Sequence, residues 1–294
     1  MTDRFRTLLN KSSLFVFILP YMEQEALYNA IEANMTQGSW QNAACRVVLK
    51  SLRCPSDRNY NEQTVGHANN YPTNYCGSTG DYCCYETYNA TWATESSYSR
   101  GAFQPNKYTT LSAISDGTSN TLLCSERCIG NPSNSIKGGV PESVSGAFPN
   151  SNYNACETNG FNPSACAGRL DSTRRTYTGK CYGPNGTETD LLPMGRWYHG
   201  GDLFSRTNTI LPPNSPSGSS SSNSVSPMLL PPSSFHPGGV NVVRCDGSGG
   251  FINDTIGAGT LTGGAGGLCK RGGASNFGVW GAFGSRDGEE AGGL

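Results

Sequence analysis

Ser233-Ser-Phe-His236-Pro-Gly-Gly-Val-Asn-Val-Val-Arg-Cys-Asp246-Gly247 sets nine residues between a histidine and an Asp-Gly pair. Val240 to Cys245 is a short β-rich run, Asp246-Gly247 is a strong turn dipeptide, and Gly250-Phe-Ile-Asn-Asp254 can return as the partner strand. The stretch therefore predicts a hairpin over 235–256. Upstream, Thr73 to Cys76, Leu122 to Glu126 and Gly146 to Phe148 read as further short strands. The best helix runs from Glu23 to Asn34, where Met22, Ala26, Leu27, Ala30, Ile31 and Ala33 form an apolar face just behind Pro20. A second helix is predicted over Gln41 to Leu49. Together these give an α+β fold, an N-terminal helix with an antiparallel β-sheet.

The 38 glycines and 17 prolines in 294 residues imply much turn and loop around a modest sheet. The length allows one large domain or two small ones, and the chain is read as one unit over 1–294. Within it lie a strand and helix region at 1–50, a cysteine-containing insertion at 150–185 and a Pro/Ser-rich loop at 212–234. The hairpin follows, and then a Gly-rich loop and tail at 257–294. The serine run from Ser217 to Ser222 lacks the apolar surface to order itself. Lys and Arg number 21 against 22 Asp and Glu, a net charge of −1, so there is no electrostatic footprint for nucleic acid.

Twelve cysteines occur with no Cys-x-x-Cys pair and only three histidines, His67, His199 and His236. Zinc modules show paired ligands at short spacing, so disulfides in an oxidising compartment explain the count better. The candidates are Cys54, Cys76, Cys83, Cys84, Cys124, Cys128, Cys156, Cys166 and Cys181, with connectivity open. Cys83-Cys84 and Cys124-x3-Cys128 resemble metal knuckles but lack partner spacings.

His236 and Asp246 would form a base–orienter pair or two metal ligands if a curved strand joined them. The plainer expectation is structural: His236 bonds a nearby carbonyl, Asp246 closes the turn, and Gly238-Gly239 supplies backbone freedom at a bend. Neither is assigned a catalytic role. Asp116-Gly117-Thr-Ser-Asn120-Thr121 reads as a turn feeding a strand. Asp246, Asp254, Asp116 and Glu126 are the acids a calcium ion would use, without EF-hand spacing; solvated turn acids are the default. No metalloprotease helix motif, nucleophile elbow or phosphate loop is present, so no catalytic residue is nominated. Paired carboxylates for glycoside hydrolysis are defined in space and invisible here. Trp40, Trp92, Trp197, Trp280 and the 14 tyrosines serve packing first and sugar stacking second.

The histidine block has company. Leu19-Pro-Tyr-Met-Glu-Gln-Glu-Ala-Leu-Tyr28, Leu52-Arg-Cys-Pro-Ser-Asp57, Thr73-Asn-Tyr-Cys-Gly77, Ile114-Ser-Asp-Gly-Thr-Ser-Asn-Thr-Leu-Leu123 with Glu126 beyond, Leu211-Pro-Pro-Asn-Ser-Pro216 and Trp280-Gly-Ala-Phe-Gly-Ser-Arg-Asp-Gly-Glu289 follow in order. This series resembles the DUF1559 proteins, prepilin-like proteins of Planctomycetes and related bacteria with an H-X9-DG signature. The resemblance implies a pilin-like head, loop-rich and disulfide-stabilised, in a type II secretion or type IV pilus-like assembly. Other pilin or pseudopilin subunits would be its partners, and the location extracytoplasmic, at the cell surface or secreted after membrane anchoring. It implies structural roles for His236, Gly238, Gly239, Asp246, Gly247, Asp116, Gly117 and Asn120. It implies no cofactor, calcium apart, by analogy with major pseudopilins. Gly218 stands where relatives often carry a cysteine, so that bridge is not expected. The basic leader, peptidase site and long apolar helix of the family do not precede Leu19. The apolar run Leu14 to Leu19 is far below the ~20 residues that cross a bilayer. The expectation is a truncated product, a misplaced start or a head whose anchor lies elsewhere. Other readings are an extracellular module binding polysaccharide or a cell-surface partner, and a secreted hydrolase.

Overall fold

The computed structural model describes residues 12–34, 42–59, 69–83, 98–105, 107–131, 133–151, 155–183, 186–188, 191–262 and 267–289. Cys84, His67, Trp40 and Trp92 lie outside them. The first described helix, α1 (Leu14–Ile18), starts where the Ser13 hydroxyl accepts the Phe15 N–H at 3.2 Å. A 3₁₀ turn carrying Pro20 follows, and Glu23 ends it in the left-handed region at φ 59°. This break delays α2 to Glu25–Ala33, inside the predicted helix. Phe15, Val16, Leu19 and Ile31 are buried with Leu52, Trp197 and Tyr198. The second predicted helix is only a 3₁₀ turn at Ala43–Cys45, because Asn42 accepts the Ala44 N–H at 2.9 Å and donates to Ile31 O at 2.8 Å; Val47 and Val48 stay exposed.

The sheet comprises β1 (Tyr75–Ser78), β2 (Leu122–Glu126), β3 (Arg206–Thr207, directly after the short helix α3, Asp202–Ser205), β6 (Gly239–Arg244) and β7 (Gly249–Asn253). Their order is β3-β1-β2-β6-β7. β1–β2, β2–β6 and β6–β7 are antiparallel, but β1–β3 is parallel, so the sheet is mixed rather than purely antiparallel. The hairpin is present as predicted: Val240 pairs with Ile252 and Val243 with Gly249. Val240 and Val242 point inward and Asn241 and Val243 outward, the period-2 pattern of a half-buried strand. The inward face meets Trp280 and Phe283 of α4 (Gly278–Gly284). The tail read as Gly-rich loop therefore ends in a packed helix. Its glycines permit close approach: a Cβ on Gly284 would lie 1.8 Å from Thr209 Oγ1.

Two other expectations are overturned. Gly146 to Phe148 forms a turn, with Gly146 at φ 82°. The Pro/Ser segment is ordered: β4 (Gly218–Ser219) pairs with β5 (Met228–Leu229), and Ser217, Ser219, Ser224 and Ser226 are buried. Hydroxyl partners replace the missing apolar surface, since Ser219 Oγ meets Tyr182 Oη at 3.1 Å and Ser226 Oγ at 2.7 Å.

The cysteines also depart from expectation. Cys156 bridges Cys269, a partner absent from the predicted set, and ties the 150–185 segment to the chain before α4. Cys54, Cys76, Cys124, Cys128, Cys166 and Cys181 form no disulfide among the described residues. Most are buried among apolar groups, where a thiol packs as a small hydrophobe. The Cys76 thiol also donates to Ser125 O at 3.3 Å.

Candidate functional site

Three of the sequence blocks converge at one end of the sheet. Glu126 is the last residue of β2, opposite Tyr75 of β1 and beside the start of β6. Its Oε2 accepts the Asn241 N–H at 2.8 Å, and its Oε1 lies 3.2 Å from His236 Nε2. The same ring nitrogen lies 3.6 Å from Cys54 Sγ. Cys54, Glu126 and His236 thus place a sulfur, an oxygen and a nitrogen within 4.8 Å of one another. Glu126 is 5% exposed at its side chain and His236 28%, with Cys54 half-buried, so the group opens to solvent on the histidine side.

Each member is held from behind. The Cys54 N–H donates to Asn74 Oδ1 at 2.9 Å, and Asp57 N donates to Cys54 O at 3.1 Å. Asp57 in turn accepts from the Asn74 amide, from Ile129 N at 2.9 Å and from Asn59 N at 2.8 Å. Asn74 O accepts the Arg127 N–H at 2.8 Å. The Cys-Pro-Ser-Asp loop is therefore pinned to β1 and to the chain leaving β2. The His236 N–H donates to Ser234 Oγ at 3.1 Å, whose hydroxyl donates to Gly239 O at 2.7 Å. Phe235 carries Lys137 Nζ at 5.2 Å and the Arg58 guanidinium at 6.0 Å against its ring. Burial, then Cys54 and Glu126, raise the Tyr75 phenol above its usual value.

The pairing of His236 with Asp246 does not occur. The six residues of β6 separate them by roughly 20 Å at strand rise. Asp246 instead sits in the far turn, accepting Ser248 N at 2.8 Å beside Gly247 at φ 86°. His236 faces a carboxylate and a thiol rather than a carbonyl. Gly238 takes φ 79° in the turn leading into β6, whereas Gly239 is already in the strand. Asp116 accepts Gly288 N at 2.7 Å and Glu289 N at 2.9 Å, while Asn120 donates to Asp116 O at 3.1 Å and to Gly117 O at 3.0 Å. This turn clasps the tail. Asp254 accepts from Asn214 at 2.7 Å. The four calcium candidates are thus dispersed, and among the described residues neither three-ligand group includes Asp116, Asp246 or Asp254. The second such group, Cys83 with Cys156 and Cys269, contains the disulfide.

Reading the blocks one at a time missed the convergence. The available signal was that three of them each supply one ligating residue, Cys54, Glu126 and His236. No curated protein and no solved structure matches the chain. The profile described as SBP_bac_10, protein of unknown function (DUF1559), matches residues 2–259, and the chain belongs to that family.

Proposed function

We propose that this chain is the structural, non-enzymatic head of a pseudopilin-like subunit in a type II secretion or type IV pilus-like surface assembly, with fellow subunits as partners. The observation that carries this reading is how the chain leads into the fold. Ser12 bridges His199, Ser13 N donates to Tyr198 O at 3.0 Å, and Phe15, Val16 and Leu19 are buried. A helix joined ahead of so firmly held a segment would move with the sheet instead of swinging on a tether, as a polymerising subunit requires. The Cys156–Cys269 bridge supports an extracytoplasmic location. Among the described residues no helix is long and apolar enough to cross a membrane. The test is to probe filaments sheared from the native host. Recovery there, lost when the assembly ATPase is deleted, supports the reading; recovery solely as free monomer in culture fluid overturns it.

A second reading, binding of extracellular polysaccharide, is favoured by a groove of about 300 Å³ beside that lead-in. Phe17, Phe103 and Tyr108 line it, with Gln104 and Arg206 as polar groups. Loss of glycan retention on Tyr108→Ala would support it, and no retention by the wild-type chain would exclude it.

A further inference from the structure

We propose that Cys54, Glu126 and His236 form a three-ligand site for a late first-row transition ion of the zinc class. The inference goes beyond the assembly reading and stands whether or not the chain polymerises. Metal–ligand bonds of about 2.3 Å to sulfur and ~2.0 Å to nitrogen or oxygen put the edges of a tetrahedron near ~3.5 Å for S to N and ~3.3 Å for N to O. The observed separations are 3.6 Å from Cys54 Sγ to His236 Nε2 and 3.2 Å from His236 Nε2 to Glu126 Oε1. Two edges of the ligand triangle thus match those around an ion, and the third, between Cys54 Sγ and the Glu126 carboxylate, lies within 4.8 Å.

Hydrogen bonding alone accounts for the cluster poorly. One imidazole nitrogen carries at most one hydrogen, yet Nε2 faces both a sulfur and a carboxylate oxygen. A thiolate, a neutral imidazole and a carboxylate sharing an ion instead direct their lone pairs to one point. The thiolate and carboxylate also cancel the ion's two charges, which suits a site where Glu126 is 5% exposed. Sulfur and imidazole select zinc, cobalt or copper over calcium, which takes six to eight oxygens. The supporting shell has the character of a metal site: Asn241 N–H orients Glu126, Ser234 holds His236, and Asn74 with Asp57 fixes Cys54. A fourth position faces solvent on the His236 side, open to water or to a side chain of a partner.

The test titrates the full chain with Co²⁺ and follows the thiolate-to-cobalt charge-transfer band. One ion per chain is expected. The band should vanish in Cys54→Ser, persist in Cys245→Ser, and need at least ~10-fold more cobalt in Glu126→Gln and His236→Gln. Absence of binding, or a band indifferent to Cys54→Ser, overturns the site. Zinc-edge X-ray absorption of the wild-type chain keeps the result independent of variant folding. One sulfur with two or three nitrogen or oxygen neighbours supports the proposal; no sulfur, or two or more, refutes it.

Discussion

Glu126 and His236 stand 110 positions apart and meet at 3.2 Å, while the other carboxylate oxygen of Glu126 holds the Asn241 N–H at 2.8 Å. One side chain thus joins the end of β2 to both the approach and the body of β6. Glu126→Ala leaves the partly buried Asn241 N–H without its acceptor and should cost about 0.5–1.5 kcal/mol. Glu126→Gln keeps an acceptor oxygen and should lose less. Urea midpoints at constant slope give the comparison, and equal losses would show that the carboxylate charge, which both variants remove, matters more than the acceptor for Asn241 N–H.

Thiol reactivity should single out Cys54. Burial pushes Cys45, Cys76, Cys166 and Cys181 up to about 12, and burial with Asp246 pushes Cys245 up to about 11. Cys124 and Cys128 are also raised, mainly by burial. A raised thiol pKa means less thiolate at a given pH. At pH 8 that leaves about one part in a thousand for Cys245 and about one in ten thousand for the four near 12. Cys54 is half-buried at a site open to solvent. Iodoacetamide on the native chain, stripped of metal by EDTA, should alkylate it at least tenfold faster than any of these, by peptide mass spectrometry. Uniform labelling would mean that the native packing opens readily around all of them.

Local chemistry made the hairpin, β2 and α2 legible: Asp246-Gly247 marks a turn, Val240 and Val242 alternate with outward residues, and Ala26, Leu27, Ala30 and Ile31 mark a helix face. What stayed hidden was set by distant partners. Asn42 diverts the second predicted helix by bonding Ile31, 11 residues back. The serine run is buried because Tyr182, 37 residues from Ser219, supplies a hydroxyl. Cys269 appeared in no local pattern, for its partner lies 113 residues away. The Cys54–Glu126–His236 cluster is of the same kind, readable only once the sheet brings its blocks to one end.

The buried serines give a direct check. Ser219 Oγ also donates to Ser221 O at 2.9 Å, at a residue with no exposure. Ser219→Ala removes the hydroxyl that joins Tyr182 to Ser226 and Ser221, but Tyr182 Oη keeps Ser221 O at 3.0 Å and Ser226 Oγ keeps Asn223 O at 2.7 Å, so the loss should be about 1 kcal/mol. A broad-specificity protease should leave 217–226 intact in the native wild-type chain and cut it in the variant. Ready cleavage of the wild type would restore the reading of a disordered loop.

Cys156 and Cys269 close a separation of 113 residues. The chain-entropy treatment of such a loop gives about 4–5 kcal/mol of stabilisation through the unfolded state. The double variant Cys156→Ala/Cys269→Ala should lose a comparable amount in a guanidinium melt. Dithiothreitol should lower the wild type to the same midpoint and leave the variant unmoved. A shift in the variant would point to another bridge.

Two glycines of the H-X9-DG stretch should respond oppositely to substitution. Gly239 has no unusual backbone angle, but a Cβ there would lie 2.0 Å from Ile252 O, the backbone of its partner strand. Gly239→Ala must push β6 and β7 apart at the end that carries His236, at a cost near the ~3 kcal/mol upper range of overpacking. Gly247 is the reverse, with φ 86° and nothing within 4 Å of where a Cβ would stand. Asparagine tolerates the left-handed region, so Gly247→Asn should cost under about 1 kcal/mol, and Gly247→Val more. Thermal melts of the three variants, ranked Gly247→Asn, Gly247→Val, Gly239→Ala in rising damage, would separate a need for space from a need for backbone freedom. The reverse order would mean that the hairpin's far turn, and not the contact beside the cluster, limits stability.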